Sequence, residues 1–215
     1  MVNIKIKNGR IIEFESDARE IGDSFLRCNN VLTSISIPNV TNIGNCFLYS
    51  NKVLLSVSIL NVTSIGNCFI SYNKVLTSME LPNVIKIGDE FLYVNKVLTS
   101  IELPNVINIG DDFRSYNNVL TSIELPNVTC IGDSFLYWNN SCVSCIMPRV
   151  DTVGRYCFCN NNTLERLFVP RLRKNEYDPV SKYDFVARLN MQNRIHLNKE
   201  TAFCKLLFAD RIGII

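Results

Sequence analysis

The sequence predicts a strand-dominated α/β repeat solenoid of seven 22-residue coils that share a parallel sheet. Three features predict it, all recurring every 22 residues: an Ile-Gly or Val-Gly pair, a Phe four residues after the Ile, and an Asn a further four residues on. A fixed period marks a solenoid, in which each repeat buries its apolar side by stacking on its neighbours. The Asn column never breaks, and its members are Asn29, Asn51, Asn73, Asn95, Asn117, Asn139 and Asn161.

The fourth coil shows the pattern of a single strand. Leu98, Ile101 and Leu103 have the spacing of inward residues that line a core, and Glu102 lies between two of them and faces out. Pro104 ends the strand because it has no N–H to contribute to a ladder. Each coil is therefore expected to add one strand to one continuous parallel sheet.

A turn is expected after the Ile-Gly pair of each coil. In the fourth coil Gly88 follows an inward Ile, and we expect it to supply a positive φ or a close approach of another backbone. Asp89 or Glu90 is then expected to cap a short helical or 3₁₀ turn that places Phe91 in the core.

The Asn column predicts a buried ladder. A polar side chain at the same inward-turning position of every coil can satisfy main-chain groups of adjacent coils. The alternative is a row of exposed loop asparagines in an Asn-rich protein. Burial of Asn95, in the middle of the chain, distinguishes the two interpretations.

The repeated run resembles a known repeat family. It reads I-G-x-x-F-L-x-x-N-x-x-L-x-x-I-x-L-P and is similar to the BspA-like leucine-rich repeat over about residues 17 to 172. The family often has Cys in place of the Asn and usually has Ala-Phe where Phe91 and Leu92 stand, and its usual form is one residue longer. The resemblance implies a leucine-rich-repeat fold and a binding or adhesion scaffold.

The chain divides into three predicted parts. Residues 1–16 are expected to form a hairpin that caps the first coil, because apolar residues flank Asn8-Gly9, a dipeptide preferred in two-residue turns. Residues 17–170 form the leucine-rich-repeat solenoid. Residues 171–215 are expected to form a helical C-terminal cap, and the alternative is a separate recognition element or a segment partly disordered without a partner.

Composition excludes several classes of function. The 215 residues are 47% hydrophobic and 20% charged, which suits one domain with an adequate core. The net charge of +2, without basic runs, does not favour nucleic-acid binding. No membrane span is expected, and the first 14 residues lack the apolar centre of a signal peptide. We therefore expect a cytoplasmic protein, or one exported without a classical signal peptide, that is a monomer or self-associates weakly.

The nine cysteines are predicted to be reduced thiols. Cys46 and Cys68 occupy one column of neighbouring coils, within reach of a disulfide under oxidation. A second group has C-x2-C and C-x-C spacing, which superficially resembles a zinc site. Three of its members replace a Leu, an Ile and a Phe of other coils, so we interpret them as small buried hydrophobes and expect no metal or other cofactor. This group is Cys142, Cys145, Cys157 and Cys159.

Catalysis finds little support in the sequence. The single histidine, His196, lies outside the repeats, and no nucleophile motif or nucleotide-binding loop is present. The sequence therefore predicts a non-enzymatic module that presents its strand face to a protein partner. An exported effector is one role that such a module could have. The alternative is a structural or adhesive surface-binding solenoid, suggested by regular Thr and Ser columns.

Two surfaces are predicted as binding sites. The first is the outward side of the strands, where a ladder of carboxylates runs into an apolar end: Glu80, Glu102, Glu124, Ile146, Arg166 and Phe168. The second is a row of aromatic residues that precedes the Asn column: Tyr49, Tyr72, Tyr93, Tyr116, Tyr137 and Trp138. The rings are expected to cover the edge of the core or to form a contact or self-association surface.

Overall fold

The fold is seen in a computed structural model that describes residues 2–7, 10–16, 18–117, 119–158, 161 and 163–171. The predicted helical cap at residues 171–215 lies, apart from Arg171, outside the described residues. No helix of the described residues is long and apolar enough to cross a membrane.

Two strands form the predicted N-terminal hairpin. β1 (Val2–Lys7) pairs antiparallel with β2 (Arg10–Ser16), and the innermost pair is Lys7 with Arg10, which leaves a two-residue connection. The turn itself lies outside the described residues. β2 lies beside the Leu-side strand of the first coil, Ser34–Ser36, so the hairpin occupies the position expected of a cap.

The solenoid contains thirteen short strands in the described residues, arranged as a parallel-sheet solenoid of about seven turns. In chain order they are β3 (Glu20–Ile21), β4 (Ser34–Ser36), β5 (Asn42–Ile43), β6 (Ser56–Ser58), β7 (Ser64–Ile65), β8 (Ser78–Glu80), β9 (Lys86–Ile87), β10 (Asn108–Ile109), β11 (Ser122–Glu124), β12 (Cys130–Ile131), β13 (Ser144–Ile146), β14 (Thr152–Val153) and β15 (Arg166–Phe168).

The expectation of one continuous sheet on the Leu side is wrong. The continuous sheet is on the Ile-Gly side, where seven two-residue strands pair in parallel in the order β14-β12-β10-β9-β7-β5-β3. The Leu side carries two sheets of three strands, β4-β6-β8 and β11-β13-β15. They are separated by the fourth coil, whose residues 100–102 form no strand. Ile101 and Leu103 nevertheless point into the core, as predicted.

The core is built from columns of identical residues. Rings of the Phe column stack face to face from Phe25 to Phe135, with centroid distances between 5.0 and 6.3 Å. Phe91 is fully buried, and so is Leu92, its neighbour in the chain. Offset stacking of this kind adds to the burial of area, so the column is a continuous apolar spine.

The turn at residues 89–94 is neither the predicted α-helix nor a 3₁₀ turn. Glu90 and Leu92 have φ of 55° and 54°, so right- and left-handed residues alternate along it. As a result the N–H groups of these two residues point in opposite directions along the solenoid. The N–H of Glu90 donates to the carbonyl of Asp111 in the next coil, and the N–H of Leu92 donates to the carbonyl of Phe69 in the preceding coil. In a helix these N–H groups would donate to carbonyls of the same turn, whereas here they donate to the two neighbouring coils.

The glycine column exists because two backbones approach closely. A Cβ on Gly110 would lie 2.3 Å from Oδ1 of Asp89 and 2.7 Å from the carbonyl carbon of Gly88. Oδ1 of Asp89 accepts the N–H of Asp111 in the next coil at 3.0 Å, rather than capping a helix of its own coil. The same bond recurs along the column, accepted by Asp23, Asn45, Asn67, Asp89, Asp111 and Asp133.

The predicted Asn ladder is confirmed. Asn95 is fully buried, and its side-chain amide donates to the carbonyl of Ile70 in the preceding coil at 3.0 Å. Ile70 is one of the left-handed residues, so the asparagine satisfies a carbonyl that the turn leaves facing inward. Asn29, in the first coil, is half-buried and accepts the N–H groups of Val31 and Leu32. The fully buried members are Asn51, Asn73, Asn95, Asn117, Asn139 and Asn161.

Replacing Asn95 by Ala is expected to lower the free energy of unfolding by about 1 to 3 kcal/mol, because the carbonyl of Ile70 loses one of its two buried donors, the other being the amide of Asn73, and the shorter side chain leaves a cavity. Urea denaturation measures this change. Lys96→Ala, at the exposed neighbouring position, is the control and should shift the midpoint little. An unchanged midpoint for Asn95→Ala would contradict the ladder.

Replacing Gly110 by Ala is expected to destabilise the solenoid by about 1 to 3 kcal/mol, because the added methyl group meets main-chain atoms that cannot move independently. Gly22→Ala is a matched control, since nothing lies within 4 Å of a Cβ at that position. Thermal unfolding of both variants checks the prediction. Equal shifts in the two variants would mean that close approach does not explain the column.

Candidate interaction surfaces

The strand face carries the predicted carboxylate ladder. Glu80, Glu102 and Glu124 are all exposed, one in each of three successive coils. Glu80 accepts a hydrogen bond from the hydroxyl of Ser58 at 2.9 Å. Within the described part of the chain no cationic side chain pairs with any of the three carboxylates. This side of the solenoid therefore presents uncompensated negative charge.

The carboxylate ladder leads directly into an apolar patch. Glu124 is the register partner of Ile146, and Ile146 is that of Phe168, so the three side chains follow one another across β11, β13 and β15. Ile146 and Phe168 are half-buried, and Arg166 beside them is exposed. The structure thus brings together these predicted residues, with Glu80 and Glu102 further along the same column.

The aromatic residues form a continuous ribbon, called the aromatic ribbon below: Tyr49, Tyr72, Tyr93, Tyr116, Tyr137 and Trp138. Successive tyrosines lie 5.3 to 5.7 Å apart between ring centroids and are tilted or edge-on to one another. At the C-terminal end Tyr116 stacks on Trp138 at 6.4 Å, and these two are the most exposed, at 40% and 43%. The ribbon is partly a cover for the core and partly an open aromatic surface.

Carboxylates lie beside this ribbon. Burial, the neighbouring tyrosines and then Asp112 and Glu90 raise the pKa of Tyr93 to about 12. Burial and the charge of Glu90 also raise the pKa of Asp112. At the N-terminal end the guanidinium of Arg27 lies 5.0 Å from the ring centroid of Tyr49, a cation–π contact. The middle of the ribbon, at Tyr93, therefore lies in a negative environment.

A third surface was not predicted. A groove of about 600 Å³ runs along the turns that follow the prolines, with Ile85 and Ile107 exposed in it and Arg149 at one end. Its floor is a second, exposed Asn ladder, in which Asn105 donates to the carbonyl of Pro82. The signal was present in the sequence as an Asn that recurs every 22 residues, after a proline in each coil except at Leu60-Asn61. The ladder is Asn61, Asn83, Asn105 and Asn127.

Three cysteines of the C-x2-C and C-x-C group occupy core positions of the repeat. Cys142, Cys145 and Cys157 are buried at positions held elsewhere by Leu, Ile and Phe, and burial raises the pKa of Cys142 to about 11. Cys159 lies outside the described residues. Cys46 and Cys68 are both free. The thiol of Cys68 is 3.5 Å from Oε2 of Glu90, and burial together with that carboxylate raises its pKa to about 12.

Arg114 is the residue that sequence reasoning missed. It stands where the other coils have Leu, Ile or Phe, and it is fully buried. Its Nη2 donates to the carbonyl of Leu98 at 2.7 Å, whereas Nε and Nη1 have no partner. Burial lowers the pKa of the guanidinium to about 10. Leu98 begins the segment of the fourth coil that forms no strand, so the charge and the break in the Leu-side sheet coincide.

The comparison with protein families agrees with the architecture. The BspA type leucine rich repeat region matches residues 5–96 and 85–206 in six copies. The chain belongs to the BspA-type leucine-rich repeat family. The match starts within the N-terminal hairpin and runs beyond the residues that carry the motif in the sequence. Comparisons with curated proteins and with solved structures gave no match. Leucine-rich-repeat solenoids are in general protein-interaction scaffolds and are typically non-catalytic.

Replacing Arg114 by Leu, the residue of the same column in four other coils, is expected to stabilise the protein by about 1 to 4 kcal/mol. The reason is that the change removes a buried charge with two unpaired nitrogens and leaves an apolar column. Urea denaturation measures the gain. Leu136→Arg, one coil further on, is the mirror control and should destabilise. A loss of stability in Arg114→Leu would show that the guanidinium has a partner that holds the fold together.

Proposed function

We propose that this chain is a non-catalytic protein-binding module that uses the outward side of its strands to hold a protein partner. The observation that carries the proposal is the continuity of Glu124, Ile146 and Phe168 across three paired strands. Charge and apolar area thereby lie next to each other on one rigid surface. Action in the cytoplasm, or outside the producing cell after non-classical export, stays a prediction.

The two parts of this surface have different tasks in the proposal. Like charges on neighbouring coils repel each other, so a basic segment of a partner that neutralises the free carboxylates relieves this repulsion on binding. Such charges chiefly accelerate association, because they attract the partner over a distance comparable to the Debye length. Ile146 and Phe168 become fully buried on binding, and buried apolar anchors carry most of the affinity of an interface.

The test needs a partner captured with the full chain and then measured by surface plasmon resonance at several salt concentrations. Phe168→Ala is expected to raise the dissociation rate about tenfold, since it removes the anchor. The triple change Glu80→Gln, Glu102→Gln and Glu124→Gln is expected mainly to slow association and to flatten its salt dependence.

Matched controls lie on the Ile-Gly side. Ile107→Ala removes a similarly apolar but remote side chain, and Glu20→Gln with Asp151→Asn removes remote exposed carboxylates. All variants are first checked for an unchanged urea midpoint. A partner whose binding ignores both the Phe168 change and the triple change contradicts the proposal and places the site on another surface.

A further inference from the structure

The aromatic ribbon has a repeat of its own, twice that of the solenoid. The tyrosines alternate between two adjacent columns, so that a tyrosine in the same column returns every second coil: Tyr49, Tyr93 and Tyr137 in one, and Tyr72 and Tyr116 in the other. Trp138 departs from this alternation, because it follows Tyr116 in the same column after a single coil. Two coils at the strand spacing correspond to about 9.6 Å. Any extended ligand that lies along the ribbon has to match this distance.

We propose that the aromatic ribbon binds a proline-rich protein segment in the polyproline II conformation, flanked by basic residues. One turn of polyproline II contains three residues at 3.1 Å each, about 9.3 Å in total, which matches two coils closely. Every third residue of the segment would then meet an equivalent ring. A β-strand repeats about every 6.8 Å and falls out of step with the ribbon within a few residues. This inference does not depend on the strand-face proposal, because it concerns other residues.

The chemistry of the ribbon suits such a segment. Polyproline II has no internal hydrogen bonds, so its carbonyls are free to accept. No hydrogen bond within the described residues uses the hydroxyl of Tyr116 or the indole N–H of Trp138, so both are available as donors. Proline has no N–H to desolvate, and its ring packs flat on an aromatic face. The segment is already ordered before it binds, which keeps the entropic cost low.

Charge selects the flanking residues. Glu90 and Asp112 lie close enough to Tyr93 to act on its hydroxyl, and no described cation pairs with either carboxylate. At the N-terminal end Arg27 already covers Tyr49. Trp138, at the other end, has no such cation among the described residues, and an arginine of the partner can stack there.

A second copy of the chain fits less well. Two ribbons that packed against each other would bring Glu90 and Asp112 of one copy towards the same carboxylates of the other. Like charges in an apolar interface cost several kcal/mol and are disfavoured. The negative environment that attracts a basic segment therefore works against self-association through this surface.

The experiment uses the intact chain and a pool of 15-residue peptides with two arginines at each end and an x-Pro-x-x-Pro core. A matched pool carries Gly in place of Pro. We expect the immobilised protein to enrich the proline pool, and the selected peptide to bind about tenfold more tightly than its Gly counterpart in fluorescence anisotropy. Absence of enrichment over the Gly pool overturns the proposal.

Variants then locate the site. Tyr116→Ala with Trp138→Ala is expected to weaken binding of the selected peptide about tenfold, and Tyr116→Phe, which keeps the ring and the fold, to weaken it about threefold through the lost donor. Glu90→Gln with Asp112→Asn should weaken binding and reduce its salt dependence. Ile107→Ala, an exposed apolar residue remote from the ribbon, is the control, and Phe168→Ala tests the strand face separately.

Three results contradict the assignment. Peptide binding that ignores all three ribbon variants moves the peptide to another surface. Light scattering could also show a molar mass that doubles as the concentration rises. If the Tyr116→Ala, Trp138→Ala variant then keeps the mass of a monomer, the ribbon binds a second copy of the chain instead. If Phe168→Ala alone abolishes peptide binding, the proline-rich segment belongs to the strand face and the ribbon proposal fails.

Discussion

Hydrogen bonding between successive coils is the constraint on which the rest of this structure depends. With no helix among the described residues, the backbone of each coil must be satisfied by the coils before and after it. The left-handed residues reverse N–H groups so that both neighbours are reached. The glycines let the coils come close enough, and the Asp or Asn that follows six of the seven glycines accepts the next coil's N–H.

The same constraint explains why buried polar residues are tolerated in this core. The Asn ladder lies inside an apolar solenoid, yet the amides of Asn73, Asn95 and Asn117 each donate to the carbonyl of a left-handed residue in the preceding coil. Arg114 differs, because one donor is used and two are not. The core thus contains a repeated row of asparagines, of which several amides are hydrogen-bonded to the neighbouring coil, and a single buried arginine with two unpaired nitrogens.

Both proposed binding surfaces follow from repetition, but in different ways. On the strand face, a Glu occupies the same position in three successive coils, and the last two coils have Ile146 and Phe168 at that position. On the aromatic ribbon, the tyrosines alternate between two columns, so equivalent rings repeat every two coils. The exposed fraction of the rings is largest at the end that contains Trp138. Departures from the repeat mark where each surface changes character, because a uniform column offers a partner no unique position.

Much of the architecture could be predicted from the sequence. The period, the number of coils, the inward Phe and Leu columns, the N-terminal hairpin and the buried Asn ladder all follow from spacing, because the same local sequence must do the same thing in every coil. The carboxylates and aromatics could be assigned to separate surfaces for the same reason, since residues in one column share one side of the solenoid.

The tertiary structure alone decided what depends on the distance between coils. Spacing left open whether Gly88 needs a positive φ or a close approach, and only the stacked neighbour shows that its space is taken. The sequence predicts a helical turn after Gly88, because the left-handed residues of that turn are not glycines and their residue types do not indicate a positive φ. The break in the Leu-side sheet could not be predicted, because residues 98–103 keep the strand pattern of the other coils, and only the stacked coils show that the guanidinium of Arg114 donates to the carbonyl of Leu98 beside the break.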